Sequence, residues 1–228
     1  MPRVVDMLRL FDARSGHVSD VLPARPGRLV LHVTPAADLR GLVLADLIRR
    51  LSERDRLRVF AFTDRAQSEL NVRPGMSGDP ATVDLYVGEI SSPESRRQLE
   101  LAPTIGHPTP AEVAARDLDP LALRLAMLRH HYREALDLSW DDLTDADAEI
   151  RQWRTAVARW ARSPGRPMSS AYIAEADAAF CDDLNVPAAL KVMRQLAADD
   201  AVPPGSRFES FVHLDLVLAL DLVSEIGT

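Results

Sequence analysis

The chain has 228 residues, a formal net charge of −7 at pH 7, 46% hydrophobic residues and 27% charged residues. This length allows one domain or two small ones with a substantial buried core, and the composition is ordinary for a globular protein. The acidic balance argues against general affinity for nucleic acids or anionic membranes, which favour a basic surface.

The first half of the sequence alternates strand and helix patterns. Residues 29–33 are apolar and β-branched, follow a Pro-Gly turn and predict a buried strand. Apolar residues at helical spacing predict a helix over 39–51, with Asp38 as its N-cap. The remaining predicted elements are strands over 57–62 and 82–88, a loop over 71–80 and a short helix over 93–101. This order favours a small parallel sheet with right-handed crossovers, in a domain over residues 1–104.

From Thr109 onward the pattern is helical throughout. Asp119-Pro120 predicts an N-cap and a first-turn proline. Ser139 and Asp142 have capping-box spacing at the start of a helix whose apolar seam continues to Trp160. Further helices are predicted over 169–181, 185–198 and 208–226. The result is a bundle of about five helices.

A proline-rich segment, 103–110, marks the predicted boundary between the two halves. The second domain is therefore predicted over residues 105–228. The fold class is α/β plus all-α, a parallel-sheet domain followed by a helical bundle.

The sequence predicts a cytoplasmic protein with no membrane contact. The N-terminus lacks the charged-then-apolar pattern of a signal peptide. The most apolar stretch, 211–223, contains His213, Asp215 and Asp221 and is too short to span a bilayer. The single cysteine, Cys181, excludes an internal disulfide, and no C-x-x-C motif is present to hold zinc.

Two runs in the second half are distinctive. They are His131-Tyr132-Arg133-Glu134-Ala135-Leu136-Asp137-Leu138-Ser139 and Asp182-Asp183-Leu184-Asn185-Val186-Pro187. Together they resemble the helical region of cysteinyl-tRNA synthetases and of the related cysteine ligase of mycothiol biosynthesis. The resemblance extends over nearly the whole chain but is specific only from residue 119 to residue 190. It implies a reduced Rossmann-like sheet of the class I synthetase type, followed by the bundle.

The family's signatures for ATP and zinc do not accompany this resemblance. The two histidines of the His-x-Gly-His signature fall at Pro35 and Asp38, and its glycine at Ala37. Both lysines of the second signature are replaced, by Glu100 and Pro103. The zinc-binding cysteine and most of the middle of the catalytic domain have no counterpart. The resemblance thus implies a truncated paralogue that lacks both ATP motifs and the zinc site.

The loss of these groups bears directly on catalysis. Amino-acid activation places new negative charge on phosphate, and the family offsets that charge with imidazoles and lysines. Losing one such donor typically costs about 10²–10³ in rate, or roughly 3–4 kcal/mol. At least four are missing here, and Glu100 adds a repelling charge. Neither adenylate chemistry nor a catalytic or metal-binding residue is therefore predicted.

A remnant of the nucleotide cleft is nevertheless expected. The helix N-terminus at 38–40 offers N–H groups and an arginine, and ATP or another anion is predicted to bind there weakly. Thr63-Asp64 resembles the threonine-aspartate pair that follows the family's second strand. The predicted ligand-binding residues are Thr34, Asp38, Arg40, Thr63, Asp64, Tyr86 and Gly106.

Other polar groups favour structural interpretations. His130 and His131 are adjacent, so they cannot form an i, i+4 metal pair and are expected to be packing residues. Asp182-Asp183, before Asn185, is expected to supply turn and cap groups. The stripe of basic residues on the long helix predicts either a solvated face or, as the resemblance implies, contact with a tRNA backbone. Its members are Arg151, Arg154, Arg159 and Arg162.

Two functional interpretations remain open. The first is a non-catalytic binding or regulatory protein, acting with a protein partner or as a homodimer, because a lost insertion would bare apolar sheet surface. The second is a repurposed nucleotide-dependent ligase or transferase of specialised metabolism. It would use the remnant cleft around Asp38, Arg40, Thr63, Asp64 and Tyr86.

Overall fold

A computed structural model describes residues 8–12, 15–21, 23–89 and 97–227. Its strands are β1 (Arg9–Asp12), β2 (His17–Asp20), β3 (Arg28–Val33), β4 (Arg58–Phe62), β5 (Leu85–Val87), β6 (Gln98–Leu99), β7 (Thr104–Gly106) and β8 (Leu136–Asp137). Its helices are α1 (Leu39–Arg54), α2 (Pro110–Ala114), α3 (Leu121–Leu128), α4 (Trp140–Trp160), α5 (Ser170–Cys181), α6 (Val186–Ala198) and α7 (Pro204–Leu218), with a 3₁₀ turn at Ser68–Leu70.

The first half is built on a parallel sheet in the order β4-β3-β5-β6. Helix α1 connects β3 to β4, as the strand–helix–strand pattern predicts. Leu29, Leu31 and Val33 of β3 alternate with residues of the opposite face and join the main apolar core. Strand β3 lies between β4 and β5, so the chain must run back past β3 after β4 to reach β5. The switch point of the sheet therefore lies between the neighbouring strands β3 and β5.

Local signals correctly place the ends of several helices. The Asp38 carboxylate accepts a hydrogen bond from the Gly41 amide at 2.9 Å and caps α1. At α4, the Asp142 amide donates to the Ser139 hydroxyl at 3.2 Å, and the Asp142 carboxylate accepts from the Ser139 amide at 2.8 Å. Both capping predictions are confirmed.

The seam of α4 forms the centre of the bundle. Its buried residues are Leu143, Ala146, Ile150, Trp153, Val157 and Trp160. Phe211 of α7 packs edge-on against two indole rings, 6.0 Å from that of Trp153 and 5.1 Å from that of Trp160, between ring centroids. Edge-on aromatic packing adds to the stabilisation from area burial, by about 0.5–1.5 kcal/mol per pair.

The sheet and the bundle share one apolar cluster, which a buried arginine crosses. From α3, Arg124 donates to the Leu218 carbonyl at 2.7 Å, to the Leu70 carbonyl at 2.8 Å and to the Asp46 carboxylate at 2.8 Å. Strand β7 spans the predicted boundary at residue 104 and pairs with β8. The division into two domains stays a prediction.

Three details of the sequence prediction differ from the structure. Residues 98–99 form strand β6 rather than the end of a helix, whereas 93–96 lie outside the described residues. The stretch after Thr109 is not wholly helical, because β8 interrupts it. The Asp119 carboxylate accepts from the Leu121 amide at 2.8 Å, but Pro120 occupies the N-cap position of α3.

The last helix is also shifted from its predicted range of 208–226. Helix α7 begins at Pro204 and ends at Leu218. The Asp215 carboxylate accepts from the amides of Leu220 and Leu222 at 2.7 and 2.9 Å. These side-chain contacts replace helical bonds and turn the chain, with Ala219 at a φ of 54°. Within the described residues, every helix is too short or too polar to cross a bilayer.

Candidate functional site

The carboxyl ends of β3 and β5 meet where the sheet reverses its winding, the usual ligand crevice of open parallel sheets. Here the backbone packs tightly. The Thr34 amide donates to the Val87 carbonyl at 3.0 Å, and Gly88 has a φ of 97°. A Cβ atom at residue 88 would lie 2.5 Å from the Thr34 hydroxyl oxygen and 2.9 Å from the Ala37 Cβ. Only glycine fits this position without rearrangement.

The N-terminus of α1 faces this crevice and is already occupied by the chain's own carboxylate. Asp38 binds the Gly41 amide, one of the N–H groups that a phosphate would otherwise contact. A carboxylate at this place also complements the positive end of the helix dipole. The site is therefore less attractive to an anion than an uncapped helix end.

Arg40, the predicted anion-binding arginine, is buried, with 1% of its surface exposed. Its terminal nitrogens donate to the carbonyls of Glu134 and His131, both at 2.7 Å. Burial lowers the pKa of the guanidinium, and the charges of Asp38 and Glu134 partly oppose that effect. The geometry gives Arg40 the role of attaching α1 to the bundle, and its ligand contact stays a prediction.

The loop after β4 supplies the groups opposite α1. The Thr63 amide donates to the Met76 carbonyl at 3.0 Å, and the Thr63 hydroxyl accepts from the Arg65 amide at 3.2 Å. Asp64 is exposed. The exposed Arg65 reaches across the crevice and donates to the Ala37 carbonyl. Arg65 was not among the residues predicted from the sequence, although its position just after a parallel strand could have indicated it.

The remaining predicted residues are divided between this crevice and other places. Thr34 lies in the crevice, and its buried hydroxyl has no hydrogen-bond partner among the described residues. Tyr86 is buried on the sheet face opposite α1, where its ring lies 5.5 Å from the His32 ring. Gly106 belongs to the separate β7–β8 pair, in which its carbonyl accepts from the Leu138 amide at 3.0 Å. We call Thr34, Asp38, Thr63, Arg65 and Gly88 the carboxyl-edge cleft.

The two family-like runs meet at Asp183. The Asp183 carboxylate accepts from the Phe11 amide at 2.8 Å, from the Tyr132 hydroxyl and from the Arg133 guanidinium at 3.1 Å. The His131 ring nitrogen lies 2.8 Å from the Asp183 carbonyl oxygen. Burial and the contact with Asp183 raise the pKa of Tyr132 far above its usual range. We call these five residues the Asp183 junction.

The prediction that Asp182-Asp183 supply turn and cap groups is confirmed in part. Asp182 is the C-cap residue of α5 and Asp183 lies in the turn that follows, but the start of α6 is capped by the Asn185 side chain, which accepts from the Ala188 amide at 3.2 Å. Asp183 adopts a φ of 55° and joins β1, the 131–133 segment and the α5–α6 turn. The prediction that His131 is a packing residue agrees with this geometry.

No family model matches the chain. Curated relatives match part of it. The L-cysteine:1D-myo-inositol 2-amino-2-deoxy-alpha-D-glucopyranoside ligase of Thermobispora bispora is 41% identical over 92 residues, which are 39% of this chain and 22% of that ligase. The ligase of the same name from Streptomyces coelicolor is 42% identical over 83 residues, 36% of this chain and 19% of the relative. A cysteine–tRNA ligase of Novosphingobium aromaticivorans is 33% identical over 111 residues, 46% of this chain and 22% of the relative.

The chain is related to the cysteinyl-tRNA synthetase family. The matches cover about a fifth of the length of these curated relatives, between 19% and 22%. The resemblance inferred from the two runs is confirmed, and so is the fold class, a Rossmann-like parallel sheet followed by helices. The activities in the names of these ligases are statements about those proteins.

The basic stripe on α4 separates into two groups. Arg151 pairs with Asp147 at 2.6 Å, and Arg154 pairs with Asp119 at 2.5 Å, so their charges are compensated. Arg159 and Arg162, further along the chain, are exposed and form no ion pair among the described residues. Contact of this stripe with a tRNA backbone stays a prediction.

An exposed apolar patch lies at and just after the end of α7, where Leu216 is 59% exposed and Val223 39%. On the sheet face opposite α1, Val30 is buried, whereas Phe60 and Phe62 are half-buried. Leu216 and Val223 line a groove of about 440 Å³, to which Arg73 and Asp221 also contribute.

Proposed function

We propose that this chain is a catalytically lapsed relative of the cysteine ligases that acts in the cytoplasm as a binding or regulatory protein. The observation that carries this proposal is the state of the α1 N-terminus. Asp38 caps the helix, and Arg40 is committed to the carbonyls of His131 and Glu134. Groups that would need to face a triphosphate instead stabilise the fold.

Electrostatics supports the same proposal. Adenylate formation requires donors that are preorganised toward the developing phosphate charge. In the carboxyl-edge cleft, Arg65 is a cationic side chain that reaches the crevice, and it already donates to the Ala37 carbonyl. One such group cannot replace the imidazoles and lysines of the family, because each donor typically contributes about 3–4 kcal/mol.

The test is cysteine-dependent exchange of pyrophosphate into ATP by the purified chain. A cysteine–tRNA ligase assayed in parallel is the positive control, and heat-denatured chain sets the background. We expect exchange at background. Exchange that depends on both cysteine and the folded chain would refute the proposal.

For the partner, we propose a second copy of this chain, docked through the α7 groove. Leu216 and Val223 supply exposed apolar contact area. Arg73, which pairs with Glu53, and Asp221 both line the groove, so a twofold arrangement can bring the cation of each copy near the anion of the other. Such self-complementarity is what an isologous dimer needs.

Light scattering coupled to size exclusion tests this partner. We expect a dimer for the native chain and a monomer for Leu216→Asp. The matched control is Ile105→Asp, which alters another exposed apolar residue, 70% exposed, outside the groove. A native monomer at high concentration, or equal loss of dimer in both variants, would contradict the proposal.

The second candidate function is a repurposed nucleotide-dependent ligase or transferase. One observation favours it: the buried Thr34 hydroxyl, beside the α1 N-terminus, has no partner in the part of the chain that the structure describes, and a ligand atom could satisfy it. Thermal denaturation with ATP tests this alternative. It requires an increase in melting temperature that Arg65→Gln reduces, whereas Arg159→Gln should leave the increase intact.

A further inference from the structure

A second cavity, of about 340 Å³, lies on the sheet face opposite α1. The β3–β4 register places Arg28 and Val30 on the same face as Phe60, and His32 beside Phe62. Two phenylalanines, two arginines and the segment 80–82 line the cavity. None of the residues of the carboxyl-edge cleft lines it.

Topology explains why this cavity exists. The chain leaves β4, passes β3 and enters β5, so residues 63–84 must cross the sheet. The first part of this connection, including the 3₁₀ turn at Ser68–Leu70, packs on the α1 side, where Arg50 donates to the Asn71 carbonyl at 2.9 Å and Arg49 donates to the Pro74 carbonyl at 3.0 Å. Its last part, which has no helix, passes the opposite face, and residues 80–82 line the cavity there. Phe60 and Phe62 are therefore left half-buried.

A tight turn presents both arginines to the cavity. The Arg28 amide donates to the Arg25 carbonyl at 3.3 Å, with Gly27 at a φ of 73°. This geometry suits Pro-Gly at the two central positions of a type II turn. The Gly27 carbonyl accepts from the Arg58 amide at 2.9 Å and holds the turn against β4.

The arginines of this cavity, Arg25 and Arg28, form no ion pair with any residue that the structure describes. The Asp84 carboxylate, which lies nearby, accepts from the amides of Ala24 and Val30 at 2.8 and 2.7 Å. Arg28 also lies over the Phe60 ring, 5.1 Å from its centroid, and this cation–π contact positions the guanidinium.

We propose that this cavity binds a small planar aromatic anion. The ligand's ring would pack against Phe60 and Phe62, and its phosphate or carboxylate would accept hydrogen bonds from Arg25 and Arg28. Arginine suits this task because its planar fork binds both oxyanions in a bidentate manner and keeps its charge. The volume lies at the lower end of the range for small-molecule sites, roughly 300–1,000 Å³. Either a nucleoside monophosphate or an aromatic carboxylate has the required chemistry.

Calorimetric titration of the full chain tests the proposal with four probes: AMP, adenosine, inorganic phosphate and 4-hydroxybenzoate. We expect AMP or 4-hydroxybenzoate to bind, and whichever binds identifies the anionic group. Adenosine has the aromatic ring without an anionic group, and phosphate has the anionic group without a ring, so each should bind at least about tenfold more weakly. Phosphate binding as tightly as AMP would overturn the proposal, as would the absence of binding by both aromatic anions at millimolar concentration.

Variants assign the binding to this cavity. We expect Arg28→Gln to weaken binding at least about tenfold, because it removes a charge-assisted contact. Arg159→Gln is the matched control, since Arg159 is exposed and lies on α4. Arg65→Gln should also have no effect. Binding that depends on Arg65 and not on Arg28 belongs to the carboxyl-edge cleft and overturns the proposal.

A folding defect must be separated from lost binding. Circular dichroism melting is measured for each variant. If Arg28→Gln is unfolded, Phe62→Leu replaces it, because leucine keeps apolar bulk but removes the flat ring. Folded Phe62→Leu with native affinity for the aromatic anion would contradict the proposal.

Discussion

The Asp183 junction and the carboxyl-edge cleft differ in how their polar groups are used. At the junction, a carboxylate, a phenol and a guanidinium bind one another across three separate parts of the chain. At the cleft, the Thr34 hydroxyl has no hydrogen-bond partner within residues 8–12, 15–21, 23–89 and 97–227, and Asp38 stands where the resemblance places a histidine. The residues that resemble the family most are thus residues that hold the fold together.

This difference explains how a chain can keep a family's sequence signature without its chemistry. A buried polar network stabilises the native state only while all its members are present, so its residues constrain one another. The side chains of the carboxyl-edge cleft do not depend on one another in this way. The comparison predicts large losses of stability from changes at buried polar junctions and small ones from changes at the cleft.

The largest effect is expected for Arg124→Met, at the second buried contact between sheet and bundle. The change leaves two buried carbonyls without the Arg124 donor and removes one of the two arginines that pair with the Asp46 carboxylate, the other being Arg50 at 2.7 Å. We expect the free energy of unfolding to fall by about 3–5 kcal/mol, measured by urea denaturation. Arg159→Met is the control and should change it by less than about 0.5 kcal/mol. If the two variants lost similar amounts of unfolding free energy, the buried contacts of Arg124 would contribute no more than an exposed arginine, and the comparison would fail.

Asp183→Ala should have the next largest effect. The Phe11 amide and the Tyr132 hydroxyl would lose their acceptor while still largely buried, and Arg133 would lose its ion pair. We expect a loss of about 2–4 kcal/mol in unfolding free energy. Urea denaturation with Asp182→Ala as the neighbouring control measures it, because the Asp182 side chain is 64% exposed. Equal effects at both positions would show that the junction contributes little.

Asp38→Ala tests the comparison at the carboxyl-edge cleft. Loss of the α1 cap should cost about 1 kcal/mol of stability. The same change frees the helix N-terminus, so phosphate or ATP should bind more tightly than to the native chain. Calorimetric titration at low ionic strength measures the affinity. Unchanged or weaker binding would mean that Asp38 does not block this site.

The smallest effect is expected for Thr34→Val. No described residue hydrogen-bonds to this buried hydroxyl, so replacing it with a methyl group should stabilise the chain slightly, by up to about 1 kcal/mol. Thermal denaturation without ligand measures the change. A clear loss of stability would show that the hydroxyl contributes to the fold and that the cleft resembles the junction more than we infer.

Much of the secondary structure could be predicted because its signals are local. Asp38 precedes its helix directly, and Ser139 and Asp142 are three residues apart, so both caps are visible in a short window of sequence. The two-residue strands β6 and β8 could not be found, because a pattern needs more positions than they have. The end of α7 was also missed, since it depends on the Asp215 carboxylate capturing two later amides.

The candidate site was predictable only in part. Thr34, Asp38 and Thr63 could be placed at strand and helix ends, where parallel sheets bind ligands. Arg40 was expected to contact an anion at the N-terminus of α1. Its partners are backbone carbonyls 91 and 94 residues further along the chain, which no local pattern indicates.

The sequence by itself determined the order of the elements, the apolar seam of α4, the family relationship and the absence of the signature lysines and histidines at their expected places. These features depend on residue identity and on spacing within a few turns of chain. Only the tertiary structure decided which polar groups are free. Whether Arg40, Arg28 or Asp183 faces solvent or a partner depends on contacts between segments far apart in sequence, and burial then makes each unpaired group costly.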